Sequence, residues 1–198
     1  MNFYDFSPII IVILAYFLGS ISSAILICKI LHFPDPRNFG SKNPGATNIL
    51  RIAGIKIAIS VILFDILKGA IPVWLGLHFE ISPIFLGATA VFACLGHMYP
   101  IFFKFYGGKG VATAFGTLIT IDPNSSIVMM SIWTLIVLSF GYSSLGAIVT
   151  ALIIPCYAWY FQSQYLLPII IISSLVIIKH ITNIRRLFNH KEERIWRD

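Results

Sequence analysis

With 198 residues, 58% of them hydrophobic and only 11% charged, and a mean hydropathy of +0.87, the chain has more apolar surface than a water-soluble domain of its size can bury. That excludes a soluble globular protein and indicates a small integral membrane protein, expected as a single membrane-embedded domain over residues 1–198. Its formal charge of +6 is not a scattered coat. Of 14 Lys and Arg residues, 13 fall in three clusters, Lys29 to Lys56, Lys104 to Lys109 and Lys179 to Arg197, so the charge reports membrane orientation and anionic ligands before nucleic acid.

The first apolar run, Pro8 to Leu31, contains the small residues of a signal peptide, but the only charge before it is Asp5, where a signal peptide carries Lys or Arg. It is expected to be a retained span with its N-terminus outside and Lys29 at its cytoplasmic end. A polar segment from His32 to about Ala53 follows, and unstructured loops of that length are usually functional. The second span is predicted from Gly54 to about Leu77, the third from Ile84 to Phe103, with His78 and Glu80 in a short external turn closed by Pro83. Asp65 and Lys68, three apart inside the second span, are expected to form a mutual ion pair, since charges within a span are normally paired or functional.

The stretch Val111 to Ile121 holds 11 residues before Asp122-Pro123-Asn124, against roughly 20 for a full crossing. It is predicted to be a short or half-membrane helix with an equally short partner from Ser125 to Phe140. Two further spans, Leu145 to Phe161 and Leu166 to about Leu187, flank a Gln162-Ser163-Gln164 turn. The expected fold is therefore all-α, with seven transmembrane helices including short ones, the N-terminus outside, the C-terminus cytoplasmic and all three basic clusters inside. A five-span variant with Val111 to Phe140 as a re-entrant hairpin keeps the same sidedness. Cys28, Cys94 and Cys156 lie in apolar runs without metal-ligand spacing and read as packed thiols.

The clusters carry the chemistry. The first, from Asn38 to Arg51, combines Gly40 and Gly45 with the hydrogen-bonding side chains of Ser41, Asn43, Thr47 and Asn48 and the guanidinium forks of Arg37 and Arg51, a loop equipped to hold an oxyanion. A polar connector with Thr47 or Asn48 as helix N-cap is the plainer reading. The second joins Gly96-His97-Met98-Tyr99-Pro100 to Tyr106-Gly107-Gly108-Lys109-Gly110-Val111-Ala112-Thr113. It is not a Walker A loop, since Phe103 and Gly110 stand where Gly and Ser or Thr are needed, yet successive Gly amides at a helix start favour an anion, with Lys109 alongside. His97 reads equally as a structural residue. In the third, His180, Asn183 and Arg186 are spaced to share a helix face, whereas Arg194 and Arg197 suit anionic lipid.

At these residues the chain resembles the bacterial acyl-phosphate:glycerol-3-phosphate acyltransferase family, PlsY. The resemblance rests on Gly19-Ser20, the run from Gly40 to Arg51, Asp65-x-x-Lys68-Gly69, Gly96-His97-x-x-Pro100, Gly107 to Thr113, and His180-x-x-Asn183-x-x-Arg186, and it covers Gly19 to Glu192. It implies a seven-helix inner-membrane enzyme, with its active site at the cytoplasmic side, that transfers a fatty acyl group from acyl phosphate to the 1-hydroxyl of glycerol 3-phosphate. The products are lysophosphatidic acid and phosphate, in the committed step of bacterial phospholipid synthesis. It implies no cofactor, and a functional link to the enzyme that makes acyl phosphate. The catalytic candidates are Ser41, Arg51, Lys109, His180 and Asn183; the substrate-binding candidates are Asn43, Gly45, Thr47, Asn48, His97, Gly107, Gly108, Gly110, Thr113, Arg186 and Glu192. Three positions depart from the usual pattern: Ser22 where Pro is common, Lys42 where Gly is common, and His190 where Gly is usual.

The residues fit that reaction. An acyl phosphate is a mixed anhydride whose leaving group departs readily, so a protein mainly has to position two phosphates and orient a hydroxyl. No His-x-x-x-x-Asp pattern occurs, so the His-Asp apparatus of other acyltransferases is missing, and no metal cluster is visible. The resemblance suggests that a substrate phosphate assists deprotonation while His180 and Asn183 orient it; a directly acting His180 is the alternative. An organic-phosphate transporter or channel would also want basic clusters and broken helices. It would need a path to the far face, where the charges Asp5, Glu80 and Asp122 repel phosphate.

Overall fold

The structure, a computed structural model, describes residues 3–161 and 163–196, with side chains from Pro8 onward; the Asp5 side chain, Gln162 and Arg197 lie outside the described residues. The described chain is helical without strands: α1 (Phe3–Gly19), α2 (Ser23–Ile30), α3 (Ala46–Ala53), α4 (Ile55–His78), α5 (Pro83–Met98), α6 (Val111–Ile121), α7 (Pro123–Phe140), α8 (Ser143–Tyr160), α9 (Leu166–Lys179) and α10 (Ile181–Phe188), with one 3-10 turn at Ile101–Phe103. Four helical stretches are long and apolar enough to cross a membrane, and up to six are if α1 with α2 and α9 with α10 each count as one bent span. Large apolar side chains such as Leu63, Phe64, Leu135, Leu138 and Leu152 stay exposed on these helices, as lipid-facing residues must. The molecule is a multi-pass membrane protein.

Where helices cross most tightly, side chains are absent. A Cβ on Gly69 of α4 would lie 2.4 Å from the Thr113 carbonyl oxygen of α6, and one on Gly116 of α6 would lie 2.0 Å from the Ile66 carbonyl oxygen of α4. Gly19 and Gly96 do the same for α1 and α5. Apolar attraction between helices is weak in lipid, so such close backbone packing carries much of the association.

Three expectations change. The runs predicted as single first and last spans are bent, by 44° between α1 and α2 and by 55° between α9 and α10. At the first break the Lys68 ammonium donates to the Ile21 carbonyl at 2.9 Å, supplying a partner where the helical ladder is interrupted. At the second, His180 takes φ −99° and ψ 5°, in the sparsely occupied bridge region of backbone space. The predicted short partner of α6 is instead a full 18-residue helix. Asp122 caps it by accepting from Ser125 N–H at 3.2 Å, and Pro123, suited to a first helical position, starts it two residues earlier than expected. Finally, the second half of the polar segment folds as α3, begun by Gly45 rather than by Thr47 or Asn48.

The expected Asp65–Lys68 pair is formed, at 2.8 Å and almost fully buried, and Asp65 also accepts from Ser23 Oγ at 2.8 Å. Removing one partner of such a pair strands a buried charge at a typical cost of about 3–5 kcal/mol, so the pair pins α2 to α4.

The departures at Lys42 and His190 both fall on left-handed backbone, φ 60° and 53°. That conformation costs an L-residue roughly 1–2 kcal/mol, partly offset because glycine gives up more chain entropy on folding. His190→Gly is therefore expected to stabilise the fold by up to about 1 kcal/mol, read as a raised midpoint in thermal unfolding in detergent. A lowered midpoint would show that the His190 side chain makes a contribution larger than its strain.

Candidate functional site

Contacts among the three basic segments gather them at one end of the bundle. There a polar cavity of about 160 Å³ is lined by Ser41, Lys42, Asn43, Tyr106, Gly107, Lys109, Lys179, Thr182 and Arg186.

The first loop is shaped from inside. Asn48, 1% exposed, donates through Nδ2 to the Pro36 and Phe39 carbonyls at 3.0 Å each and accepts from Ser41 N–H at 3.0 Å. Its amide is thus engaged within the loop, and it sets Ser41 and Asn43 at the cavity. Gly45 caps α3, and Thr47 Oγ1 donates to Ser143 Oγ at 3.3 Å, away from the cavity lining. Arg51 is held by the C-terminal segment: Nη1 lies 3.1 Å from Glu193 Oε2, and Nη2 donates to the Glu193 and Arg194 carbonyls.

The second loop rests on His97. The Gly108 N–H donates to the His97 carbonyl at 3.1 Å, and a Cβ on Gly108 would lie 2.2 Å from His97 Nε2. The imidazole therefore fills the space a Gly108 side chain would take, and a Cβ on Gly107 would lie 2.1 Å from the His97 carbonyl oxygen, which is why two glycines stand here. His97 Nδ1 faces Asp65 Oδ1 at 3.6 Å, beyond hydrogen-bond length, and has no other partner among the described residues. Gly110, at φ 82°, starts α6. Thr113 is buried behind this start, its hydroxyl without a partner among the described residues. Lys109 reaches forward and donates to Asn183 Oδ1. Burial lowers its ammonium from the ordinary lysine value to about 8, against an opposing pull from Glu192.

In the third segment Asn183 Nδ2 donates to Glu192 Oε1 at 2.5 Å, Arg186 Nε to Glu192 Oε2 at 2.8 Å, and Ser144 Oγ to Glu192 Oε1 at 2.6 Å. One carboxylate thus aligns an amide and a guanidinium. His180 is buried, and its Nδ1 lies 2.7 Å from the Val176 carbonyl oxygen. A carbonyl only accepts, so Nδ1 carries the proton there and the neutral ring leaves Nε2 unprotonated. Between α6, α7, α8 and α9 lies a small apolar void of about 20 Å³, lined by Val111, Val176, Leu118, Met129 and Ile154 among others.

Ser41, Asn43, Gly107, Lys109 and Arg186 thus meet on one cavity, with Asn183 joined to it through Lys109 and Glu192 through Arg186. Gly45, Thr47, Asn48, Arg51, His97, Gly108, Gly110, Thr113 and His180 are not in its lining. A family model described as glycerol-3-phosphate acyltransferase matches residues 9–190.

The chain belongs to the glycerol-3-phosphate acyltransferase family.

It is 84% identical over 192 residues to the glycerol-3-phosphate acyltransferase of Blochmanniella pennsylvanica, covering 97% of this chain and 98% of that one. It is 55% identical over 185 residues to that of Yersinia pestis, covering 93% and 86%. Among solved structures it is similar to PlsY (YgiH), an integral membrane glycerol 3-phosphate acyltransferase, in its glycerol 3-phosphate form, with a TM-score of 0.89, 39% identity and 95% of both chains covered. The lysophosphatidic acid form of PlsY gives a TM-score of 0.86 at 37% identity. The resemblance to PlsY seen in the sequence is a family membership.

Within this acyltransferase fold Lys42, Tyr106, Lys179 and Thr182 also line the cavity, and Ser143 and Ser144 at the start of α8 support it, none of them a candidate from the sequence. The serines look like ordinary helix-start residues in sequence, and only their partners Thr47 and Glu192, far along the chain, show otherwise. Lys179 had one signal, its place beside His180.

Proposed function

We propose that the protein transfers a fatty acyl group from acyl phosphate to the sn-1 hydroxyl of glycerol 3-phosphate, at the cytoplasmic face of a bacterial inner membrane. The observation that carries this is the convergence of the cations Lys109, Lys179 and Arg186 with the polar groups of Ser41, Asn43 and Gly107 on one cavity, which suits two phosphates. The hydroxyl oxygen of glycerol 3-phosphate attacks the acyl carbon, the bond from that carbon to the phosphate oxygen breaks, and the hydroxyl proton ends on the departing phosphate. The products are lysophosphatidic acid and inorganic phosphate. Ser41, Lys109 and Asn183 orient the reacting groups. Arg51 joins them once substrate phosphate displaces Glu193, and His180 sets the bend that presents Asn183 and Arg186.

Seven crossings, with α6 as the short one, put the N-terminus outside and this end of the bundle inside. The positive-inside rule supports that sidedness, because Lys29, Lys56, Lys104 and Arg185 all lie near it. Acyl phosphate hydrolyses readily, so an enzyme that makes it is the natural functional partner.

The test is an assay of purified protein with labelled glycerol 3-phosphate and, as separate donors, palmitoyl phosphate, palmitoyl-CoA and an acyl carrier protein thioester. Labelled lysophosphatidic acid is expected from palmitoyl phosphate alone. Product from thioesters but not from palmitoyl phosphate would overturn the donor assignment.

A further inference from the structure

Four cations line the polar cavity: Lys42 of the first loop is exposed to solvent, and the three from the second and third segments, which are desolvated further, differ in how their charge is balanced. Arg186 is neutralised by Glu192 at 2.8 Å. Lys109 donates to the neutral amide oxygen of Asn183. Lys179 donates to the Met98 carbonyl at 3.1 Å and stands 4.7 Å over the Tyr99 ring. Among the described residues no carboxylate lies within ion-pair distance of Lys109 or Lys179. Two ammonium groups held by neutral partners on one half-buried cavity leave a local excess of positive charge, and desolvated charge without a counter-ion is costly. The arrangement is balanced when a dianion enters.

From this juxtaposition we propose that Lys179 is a second phosphate-binding residue, which holds the phosphate of the acyl donor and then the inorganic phosphate it becomes, while Lys109 serves glycerol 3-phosphate. This rests on the acyl-phosphate reading above and deepens it. The reaction brings two phosphates together, and of the three lysines on the cavity Lys42 is exposed to solvent, so Lys109 alone would be left to screen both at depth without Lys179. The two lysines arise from different segments, Lys109 from the glycine loop and Lys179 from the last residue of α9, so each can face its own phosphate. The carbonyl and ring contacts hold the ammonium in place without cancelling its charge, a cation over a ring face being attracted but not neutralised. No redox partner or metal is required, because Lys179 acts only by charge and hydrogen bonding on the leaving group.

The competing role is structural: a lysine at a helix C-terminus complements the helix dipole. Two variants separate the roles. Lys179→Gln keeps an N–H donor for the Met98 carbonyl and removes the charge; Lys179→Arg keeps the charge. Steady-state kinetics in detergent or vesicles would give KM for palmitoyl phosphate, KM for glycerol 3-phosphate and the inhibition constant of inorganic phosphate against palmitoyl phosphate. In Lys179→Gln, KM for palmitoyl phosphate and the phosphate inhibition constant should both rise by roughly ten- to 150-fold, the loss expected of one charge-assisted contact. KM for glycerol 3-phosphate should stay within about threefold, since a change of that size is worth less than one such contact. Lys179→Arg should restore most of the donor affinity. An unchanged phosphate inhibition constant in Lys179→Gln, or equal losses toward both substrates, would overturn the proposal. So would a Lys179→Arg variant as impaired as Lys179→Gln. Failure of the acyl-phosphate reading shows separately, as wild-type protein that makes no lysophosphatidic acid from palmitoyl phosphate.

Discussion

Replacing Lys109 by alanine is expected to lower kcat/KM for glycerol 3-phosphate by roughly ten- to 150-fold, because removing a cationic partner from a phosphate forfeits a charge-assisted bond of about 1.5–3 kcal/mol. Folding should be little affected. The half-buried ammonium has no carboxylate within ion-pair distance among the described residues, so its removal strands no opposite charge, and the glycine loop is held by backbone contacts to His97 rather than by the lysine. Lys104 is the control: it is exposed on a left-handed turn outside the cavity lining, and Lys104→Ala should stay within about threefold, less than one such contact is worth. Equal losses at the two positions in folded, purified protein would remove Lys109 from the anion site.

The same lysine predicts a pH dependence of known sign. With the site empty its ammonium loses its proton near pH 8, and a bound phosphate, being anionic, raises that value. Binding is therefore intact below about pH 8 and is lost as pH rises above it, by up to roughly tenfold per unit until the bound-state value is reached. Phosphate monoesters are already dianionic there, their second ionisation lying near pH 6, so the loss belongs to the protein. KM for glycerol 3-phosphate should rise above pH 8 in wild-type protein and stay flat in Lys109→Arg, whose guanidinium does not titrate in this range. A wild-type profile flat to pH 10 would show that Lys109 does not contact the phosphate.

What could be read from the sequence was set by local rules. The bounds of α6 follow from Gly110 on one side and Asp122-Pro123 on the other, and Val111–Ile121 is what the structure shows. The Asp65–Lys68 pair follows from the cost of charge within a span. The bends do not follow, because Ser20-Ile21-Ser22 and Lys179-His180 bring polar residues but no Pro, so neither stretch marks a break in the helix by itself. Their causes include a lysine ammonium 47 positions from Ile21 and a backbone conformation at one histidine. The start of helix α3 is displaced from Thr47 or Asn48 to Gly45, because the Asn, Gly and Pro residues just before it signal turn while the later polar side chains look the better caps. At the site, spacing brought Asn183 and Arg186 together, but nothing local shows that Arg51 is held by residues 142 and 143 positions away or that Glu192 closes the arrangement from beyond the last helix.

His180→Asn and His180→Ala together separate two roles for the histidine. The Nδ1 proton is given to the Val176 carbonyl at 2.7 Å, at the bend that presents Asn183 to Lys109. Asparagine can place an amide N–H where Nδ1 stands, so it keeps that anchor and loses Nε2; alanine loses both. If the ring acts by holding the bend while a substrate phosphate takes the hydroxyl proton, His180→Asn should retain activity within about tenfold of wild type while His180→Ala falls further, since a positioned hydrogen bond contributes about 0.5–1.5 kcal/mol on its own and more where it sets reacting geometry. If Nε2 is the general base, both variants should lose roughly 10²- to 10⁴-fold alike. A pH profile would not distinguish them, because phosphate monoesters and imidazole titrate in the same range. The comparison has its own control in glycerol 3-phosphate binding, measured by calorimetry on each variant. If both bind it and both are equally inactive, proton abstraction belongs to His180 and the substrate-assisted route is wrong. A graded loss, with asparagine above alanine, leaves the proton to the phosphate and makes the bend between α9 and α10 the contribution of His180.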